Sequence, residues 1–216
     1  GAPVVISGCT VRNYTNRFVY VSLSGKIESL TIDDCIFIGA DNSTTNKAIY
    51  ASSAHTQVET LSVTNSTFLN FNTGSNYFFR INCGEELVLM PVVLIDHCTF
   101  YNCYDRRGVY LYNAGRSTIK NCISAFSERR DDTKSFTAYG DESIVKNVIS
   151  YNVDLYGSAP KENIISKNPL FVDAENGNFQ LYKDSPAVGA GDDGSDLGDP
   201  RWGVSTENAP VGELPY

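Results

Sequence analysis

The chain has 216 residues, 42% of them hydrophobic and 12% aromatic, and this composition predicts one folded domain rather than a disordered segment. The net charge is −8, and residues 171–216 hold nine acidic residues against two basic ones, whereas residues 1–170 are nearly balanced. This balance argues against nucleic-acid binding, which requires a basic surface. No apolar run approaches the roughly 20 residues of a membrane-spanning helix, so no membrane span is expected.

Seven segments of the chain share one pattern, in which an apolar alternation is followed by a small or amide residue and a second short apolar alternation. In chain order they are VVISGCTVRN (4–13), LTIDDCIFIG (30–39), LSVTNSTFLN (61–70), VLIDHCTFYN (93–102), STIKNCISAF (117–126), SIVKNVISYN (143–152) and IISKNPLFVD (164–173). They are spaced 21 to 32 residues apart, as in a solenoid whose repeats stack on one another.

One aligned position in these segments predicts a corner. It holds Gly8, Asp34, Asn65, His97, Asn121, Asn147 and Asn168. Glycine, asparagine, aspartate and histidine best tolerate the left-handed backbone of a sharp bend between two strands. The neighbours Asp96, His97 and Cys98 have the residue types of a nucleophile with its base, or of a metal site, but this position favours their interpretation as part of a structural ladder.

Each repeat also contains a third strand-like run. The runs are RFVYVS (17–22), KAIYAS (47–52), YFFRIN (77–82), RGVYLY (107–112) and KSFTAY (134–139). Three short strands per repeat predict an all-β fold, a single-stranded right-handed parallel β-helix of about seven coils over residues 1–202, with an irregular C-terminal tail over residues 203–216. Strand alternation directs one set of side chains into the core. This set contains Val19, Val21, Ile49, Ala51, Val109 and Leu111.

The corner ladder and the three-strand coil resemble the pectin-lyase-like parallel β-helix superfamily. The stretches NPLFVDAENGNFQLYKDSPAVGAG (168–191) and DLGDPRW (196–202) resemble the C-terminal closing coil of secreted or surface proteins of unknown function from polysaccharide-degrading anaerobic bacteria. The resemblance implies a secreted or cell-envelope location and a carbohydrate partner. It does not determine the activity, because the superfamily includes lyases, hydrolases, esterases, epimerases, adhesins and inactive modules.

The cysteines are interpreted as buried free thiols, because Cys9, Cys35, Cys98 and Cys122 share the aligned position beside the corner and a thiol packs as a small hydrophobe. Whether Cys83 and Cys103 form a disulfide is left open.

The acidic stretch GDDGSDLGD (191–199) is a candidate calcium loop. It offers the oxygen ligands of Asp192, Asp193, Asp196 and Asp199, but it lacks the full spacing of an EF-hand. A solvated turn without metal is the favoured interpretation, so no cofactor is expected, with calcium as the alternative.

The third strand-like run is the candidate ligand surface, because variable loops precede it and its outward side chains are aromatic and polar. The candidate ligand-binding residues are Tyr20, Tyr50, Arg80, Asn82, Tyr110, Tyr112 and Tyr139 on the strands, with Arg106 and Arg107 at the loop entrance. Aromatic faces cover the apolar side of a sugar ring, and arginine matches a carboxylate or sulfate. The pattern predicts a polysaccharide or oligosaccharide partner, and the arginines are consistent with an anionic one. The alternative is that stacked tyrosines only stabilise neighbouring strands.

Three functions remain open. The favoured one is a non-catalytic or vestigial module of a secreted carbohydrate-binding or carbohydrate-processing surface protein. The second is a polysaccharide lyase acting on an acidic glycan, with Arg80 neutralising a carboxylate and Tyr110, Lys134 or Arg107 as the base. The third is a structural or adhesive stalk.

Two further expectations follow from the same residues. The pattern of the chain predicts no serine or cysteine triad. The open edge of the first coil predicts further coils or another domain upstream, as expected for the C-terminal part of a longer protein.

Overall fold

Parallel strands stack along three faces of a β-solenoid, so the predicted all-β parallel β-helix is confirmed. The computed structural model describes residues 1–14, 16–21, 25–40, 46–51, 56–72, 77–82, 91–112, 114 and 116–212. The side chains of residues 25, 26, 56, 57 and 82 are outside this description.

The described strands have the following bounds. In chain order they are β1 (Val4–Ser7), β2 (Thr10–Val11), β3 (Arg17–Val21), β4 (Gly25–Asp33), β5 (Ile36–Ile38), β6 (Lys47–Ala51), β7 (Thr56–Thr64), β8 (Thr67–Leu69), β9 (Phe79–Asn82), β10 (Val92–Asp96), β11 (Thr99–Tyr101), β12 (Val109–Tyr112), β13 (Arg116–Ala125), β14 (Lys134–Ala138), β15 (Ile144–Tyr151), β16 (Asp154–Tyr156), β17 (Lys161–Ile165), β18 (Phe171–Asp173) and β19 (Asn178–Leu181). Short 3-10 helices cover Ala174–Asn176 and Pro200–Trp202.

The strands divide among the three faces in a regular order. The first four turns contribute three separate strands each, from β1 to β12. In each of the next two turns, one continuous strand covers the first and second faces; these strands are β13 and β15. The first face has the order β1, β4, β7, β10, β13, β15, β17, and the third face has the order β3, β6, β9, β12, β14, β16. On the second face, β2, β5, β8 and β11 lead to the later part of β13.

The predicted corners between the first and second faces have left-handed backbone. The φ angle is 65° at Gly8 and lies between 48° and 54° at the five following corners, which are Asp34, Asn65, His97, Asn121 and Asn147. The prediction of Asn168 for the last corner was wrong. The pairing of Val148 with Ile164 places the corner at Asn163, which has a φ of 50°. The last turn is short, with only 16 residues between Asn147 and Asn163.

A second set of left-handed corners ends the second face. Asn13, Asn70, Asn102 and Asn152 have φ angles between 52° and 59°, and each follows a first corner by five residues. The sequence contains this signal, because these asparagines close four of the repeated segments. In the second turn the position is Gly39, where a Cβ atom would approach the Asn70 carbonyl oxygen to 2.3 Å, so only glycine fits there.

Aromatic rings form the centre of the solenoid. Phe37, Phe68 and Phe100 are paired in register on successive turns, and their rings stack with centroids 4.9 Å apart. The predicted inward alternation is confirmed. Val19, Ile49, Ala51, Val109 and Leu111 are buried, and Val21 is half-buried.

The cysteine ladder also lies in this core. Cys35, Cys98 and Cys122 are buried free thiols as predicted, whereas Cys9, in the first turn, is half-buried. Cys103 is free and buried, and Cys83 lies outside the described residues. Burial raises the pKa of Cys98 and Cys103, so both thiols stay protonated at neutral pH.

Residues 171–204, here called the C-terminal segment, pack on the outer surface of the second face. The antiparallel pair β18 and β19 supplies Phe171, Phe179 and Leu181 to a second apolar cluster with Tyr101 and Ile123 of the solenoid. This packing explains why the second face carries apolar residues on both sides. No helix in the described part of the chain is long and apolar enough to span a bilayer.

Candidate functional site

The row of side chains predicted for the third face lies in register. Tyr20 pairs with Tyr50, Tyr50 with Arg80, Arg80 with Tyr110, and Tyr110 with Thr137. Strand spacing therefore sets these side chains about 4.8 Å apart along the solenoid axis. In the next row Asn82 pairs with Tyr112, but the side chain of Asn82 lies outside the described residues.

Arginines interleave with the tyrosines along this row. The Arg17 guanidinium lies 4.4 Å from the ring centroid of Tyr20 and 4.6 Å from that of Tyr50. The Arg80 guanidinium lies 4.6 Å from the Tyr77 ring, and Arg80 Nη1 donates to the hydroxyl oxygens of Tyr77 and Tyr50. These cation-π contacts hold the guanidinium groups in fixed positions on the surface.

We call this surface the basic-aromatic stripe. It consists of Arg17, Tyr20, Tyr50, Tyr77, Arg80, Arg107, Tyr110, Tyr112 and Tyr139. Tyr20 is 52% exposed, and Tyr50, Arg80, Arg107, Tyr112 and Tyr139 are half-buried. The stripe therefore presents both rings and cations to solvent.

Two residues of this row, Tyr110 and Thr137, are buried although strand alternation directs their side chains outward. Tyr110 is 6% exposed, because the rings of Tyr77, Tyr112 and Tyr139 and the Arg107 guanidinium surround it. Thr137 is fully buried, and its Oγ1 donates to the Arg107 carbonyl oxygen over 3.0 Å. Alternation predicted the direction of these side chains but not the neighbours that cover them.

The basic residues near the stripe fall into two groups. Lys134 and Arg129 bind Asp154 over 3.3 and 3.0 Å, and Arg130 binds Glu128. By contrast, in the described part of the chain no carboxylate lies within salt-bridge distance of a second set of arginines. This set is Arg17, Arg80, Arg106 and Arg107.

Two buried donor atoms in the stripe also lack a partner among the described residues. They are the Nε atoms of Arg17 and Arg80. A buried donor without a hydrogen bond costs free energy, so these two atoms are exceptions among buried polar groups.

The residues proposed for lyase chemistry are only partly brought together. Arg80, Arg107 and Tyr110 form one cluster, with guanidinium-to-ring distances of 5.9 and 4.7 Å. Lys134 instead begins β14 and binds Asp154 of β16. Arg106 is exposed beside the cluster.

Sequence reasoning assigned no role to Tyr77, although a signal for it exists. Tyr77 stands 30 residues after Lys47 and 30 before Arg107, so it occupies the same position in its turn as Arg17, Lys47 and Arg107. Burial raises the pKa of Tyr77, so its phenol stays protonated at neutral pH.

The four aspartates of the acidic stretch bind different partners. Asp192 binds Lys120 and Lys146, whereas the Oδ1 of Asp196 accepts from the Gly189 N–H over 2.8 Å. Asp199 is buried and accepts from Thr67 Oγ1 over 2.6 Å and from Arg201 Nε over 2.8 Å. Within the described ranges, no group of three or more histidine, cysteine, aspartate or glutamate side chains is placed to hold a metal ion.

We expect acid to weaken the docking of the C-terminal segment through Asp192. A hydrogen bond from Asn121, with those from Lys146 and Lys120, lowers the pKa of Asp192 in the folded chain. The stabilisation is complete above the unfolded pKa of about 3.9 and is lost as the pH falls through that value towards the lower folded pKa. Urea unfolding of the wild type and Asp192→Asn should therefore differ at pH 7, and the difference should shrink steadily as the pH falls below about 4.

Asp141→Asn is the matched control, because Asp141 is exposed and has no described partner. It should leave the urea midpoint unchanged at both pH values. A difference between wild type and Asp192→Asn that does not shrink between about pH 5 and about pH 2.5 contradicts this account of Asp192.

Asp96, His97 and Cys98 have separate environments. His97 is a corner residue as predicted, and its Nδ1 lies 2.8 Å from Asp96 Oδ1. Cys98 Sγ points into the core and donates to backbone carbonyl oxygens, including that of Val63. The ladder interpretation of Cys98 is thus confirmed.

The structure brings a serine to His97, a contact that the sequence analysis did not predict. His97 Nε2 lies 2.7 Å from Ser195 Oγ, although the two residues are 98 positions apart in the chain. The C-terminal segment folds back over the corner ladder and brings Ser195 to His97. No pattern near either residue predicted this contact.

The family comparison matches the part of the chain that contains this docking. The model of a family described as a domain of unknown function, DUF5123, matches residues 93–202, slightly more than half of the chain. The match begins in β10, includes the later turns of the solenoid, and ends at Trp202 in the C-terminal segment. No curated protein matches the chain. The extent of the match shows that the chain belongs to the DUF5123 family.

Proposed function

We propose that the chain is a module of a secreted or cell-surface protein and that its basic-aromatic stripe binds an anionic polysaccharide or oligosaccharide without cleaving it. The observation that carries the proposal is the set of stripe arginines without a carboxylate partner in the described part of the chain. Arg17, Arg80 and Arg107 are held by tyrosine rings instead. Membership of the pectin-lyase-like superfamily, and a source among polysaccharide-degrading bacteria, are parts of the same proposal.

The chemistry of the stripe suits a sugar acid. The exposed ring of Tyr20 and the half-buried ring of Tyr50 offer apolar faces for the C–H side of a pyranose. The planar guanidinium of Arg80 matches a carboxylate or sulfate. Rings and cations thus alternate at the spacing of the strands.

The direction of the stripe suits a linear chain. Arg17 lies in the first turn and Arg80 in the third, so two strand spacings, roughly 10 Å, separate their strands along the solenoid axis. A polysaccharide lying along this axis would meet cations at intervals rather than at one point. The acidic excess of the protein lies largely in residues 171–216, so the local potential of the stripe differs from the net charge.

Arg80→Met should weaken binding to a polyuronate roughly tenfold or more, because it removes charge-assisted hydrogen bonds and keeps the volume of the stem. Affinity electrophoresis in native gels that contain a polyuronate, or a neutral glucan, measures this loss. We expect the wild type to be retarded by the polyuronate and Arg80→Met to migrate almost freely.

Arg116→Met is the matched control, because Arg116 is 69% exposed on the first face and pairs with Glu142. It should bind like the wild type. The proposal fails if neither polyuronates nor sulfated glycans retard the wild type, or if both variants lose the same affinity.

A lyase is the second candidate, and the cluster of Arg80, Arg107 and Tyr110 favours it. Such an enzyme would release unsaturated products that absorb in the ultraviolet, and Arg80→Met would abolish them. A binding module would give retardation without product. A structural or adhesive stalk would give neither.

A further inference from the structure

A cavity of about 410 Å³ lies between the C-terminal segment and the second face, away from the stripe. Its apolar wall includes Ile123, Phe171, Phe179 and Trp202, and its polar wall includes His97 and Ser195. Volume and lining are those of a site for a small organic molecule, in which an apolar wall holds the body of the ligand and a few polar groups meet its reactive part.

The polar wall has the connectivity of a nucleophile, a base and a group that orients the base. Ser195 Oγ lies 2.7 Å from His97 Nε2, and His97 Nδ1 lies 2.8 Å from Asp96 Oδ1. Asp96 is itself held, because Asn121 Nδ2 donates to its Oδ1 over 3.0 Å and Lys120 Nζ lies 3.4 Å from its Oδ2. This geometry meets the distance criteria for an activated hydroxyl.

The backbone around Ser195 allows the contact. Gly194, immediately before it, has a φ of 82°. A Cβ atom at Gly191 would lie 2.7 Å from Ser195 Oγ, so only glycine leaves room for this hydroxyl. Two glycines thus place Ser195 on a tight turn facing His97.

Asp193 competes for the same hydroxyl. Ser195 Oγ lies 2.5 Å from Asp193 Oδ1 as well as 2.7 Å from His97 Nε2. The Ser195 hydroxyl carries one proton and can donate it to only one of the two groups. If it donates to Asp193, His97 Nε2 must be protonated and donate to Ser195 Oγ. If it donates to His97 Nε2, that nitrogen must be unprotonated. The first arrangement is a resting state, and the second is the nucleophilic state.

We propose that Ser195 and His97 are catalytic residues of an acyl-transfer site that hydrolyses small esters with an apolar acyl or aryl group, and that Asp96 is a positioning residue. Ser195 Oγ forms a bond to the ester carbonyl carbon while its proton moves to His97 Nε2. The carbon-oxygen bond to the alcohol then breaks, and the alcohol leaves with the proton from His97. Water attacks the acyl-serine with the same proton transfers, which releases the carboxylic acid and restores Ser195.

Labelling of the whole chain with a fluorophosphonate tests the proposal, because this probe reacts with activated serine hydroxyls. Intact mass and peptide mapping should show one label, on Ser195. Ser195→Ala should remove the label. Ser158→Ala is the control, because Ser158 is exposed in the loop after β16, and it should leave the label unchanged.

His97→Asn should slow labelling by a factor of about 100 or more, the usual contribution of a general base. Asparagine suits this corner, because Asn65 and Asn121 occupy the equivalent left-handed positions. Circular dichroism should therefore be unchanged. Asp193→Asn should raise the labelling rate several-fold, because it removes the charge that holds the hydroxyl proton.

Asp96→Asn provides the test of positioning. The maximal rate of labelling should fall, while the probe concentration for half-maximal rate should stay the same, since Asp96 does not line the cavity. Turnover of p-nitrophenyl acetate should follow the same order among the variants.

The proposal is overturned if the wild type is labelled no faster than Ser195→Ala, or if folded His97→Asn is labelled as fast as the wild type. In either case the cluster is only a tether for the C-terminal segment. The polyuronate gel should retard Ser195→Ala as strongly as the wild type. Failure of the esterase proposal can therefore be told apart from failure of glycan binding at the stripe.

Discussion

Phe68→Ala is expected to lower the free energy of unfolding by about 3–5 kcal/mol, the range for a fully buried phenylalanine. Phe68 is fully buried, and the rings of Phe37 and Phe100 stack on it at 4.9 Å from the turns before and after. Each neighbouring ring is fixed by its own parallel strand, so the walls of the new cavity collapse little. Denaturant unfolding followed by circular dichroism measures the loss.

Phe18→Ala is the matched control for this prediction. Phe18 has the same side chain and contacts Phe37 at 5.6 Å, but it is 40% exposed. Its replacement should cost about 1.5 kcal/mol or less, because less apolar area returns to water. Equal losses for the two variants contradict the assignment of Phe68 to the centre of the core.

Asn121→Ala is expected to cost about 2–4 kcal/mol, since it removes hydrogen bonds to charged groups and places alanine in left-handed backbone. Asn121 is fully buried at a corner with a φ of 52°. Its Nδ2 donates to Asp96 and Asp192, and its Oδ1 accepts from the Asp192 N–H. The side chain therefore fastens the C-terminal segment to the solenoid.

Asn121→Gly separates the two causes. Glycine keeps the corner without strain and loses only the side-chain bonds, so we expect it to be more stable than Asn121→Ala by about 1 kcal/mol. Trp202 is the only tryptophan in the chain and packs on Phe179, so its fluorescence reports docking of the C-terminal segment. Both variants should lose this signal at lower denaturant than the wild type. A glycine variant no more stable than the alanine variant contradicts the role of the corner geometry.

The corner ladder was predictable because it depends on single residues. Asp34, Asn65 and Asn121 favour left-handed backbone whatever surrounds them, so their spacing alone indicates where strands bend. The last corner was misplaced because two asparagines, Asn163 and Asn168, lie only five residues apart. Only the pairing of β15 with β17 selects Asn163.

The stripe was predictable in part for a related reason. Alternation gives the direction of a side chain, and parallel register then aligns Tyr20, Tyr50, Arg80 and Tyr110. It does not give the neighbours that arrive from other turns. Tyr77 and Tyr139 from the neighbouring turns help to cover Tyr110, and Lys134 binds Asp154 rather than joining the cluster of Arg80.

The amino-acid sequence by itself determined the repeat, the bends and the inward and outward faces, because these depend on local backbone preference and strand periodicity. Only the tertiary structure decided the partners of the C-terminal segment. Asp192 binds two lysines, Asp199 is buried against Thr67, and Ser195 meets His97 across 98 residues. Such contacts depend on where a chain folds back onto a surface that it has already built, and no local preference encodes that path.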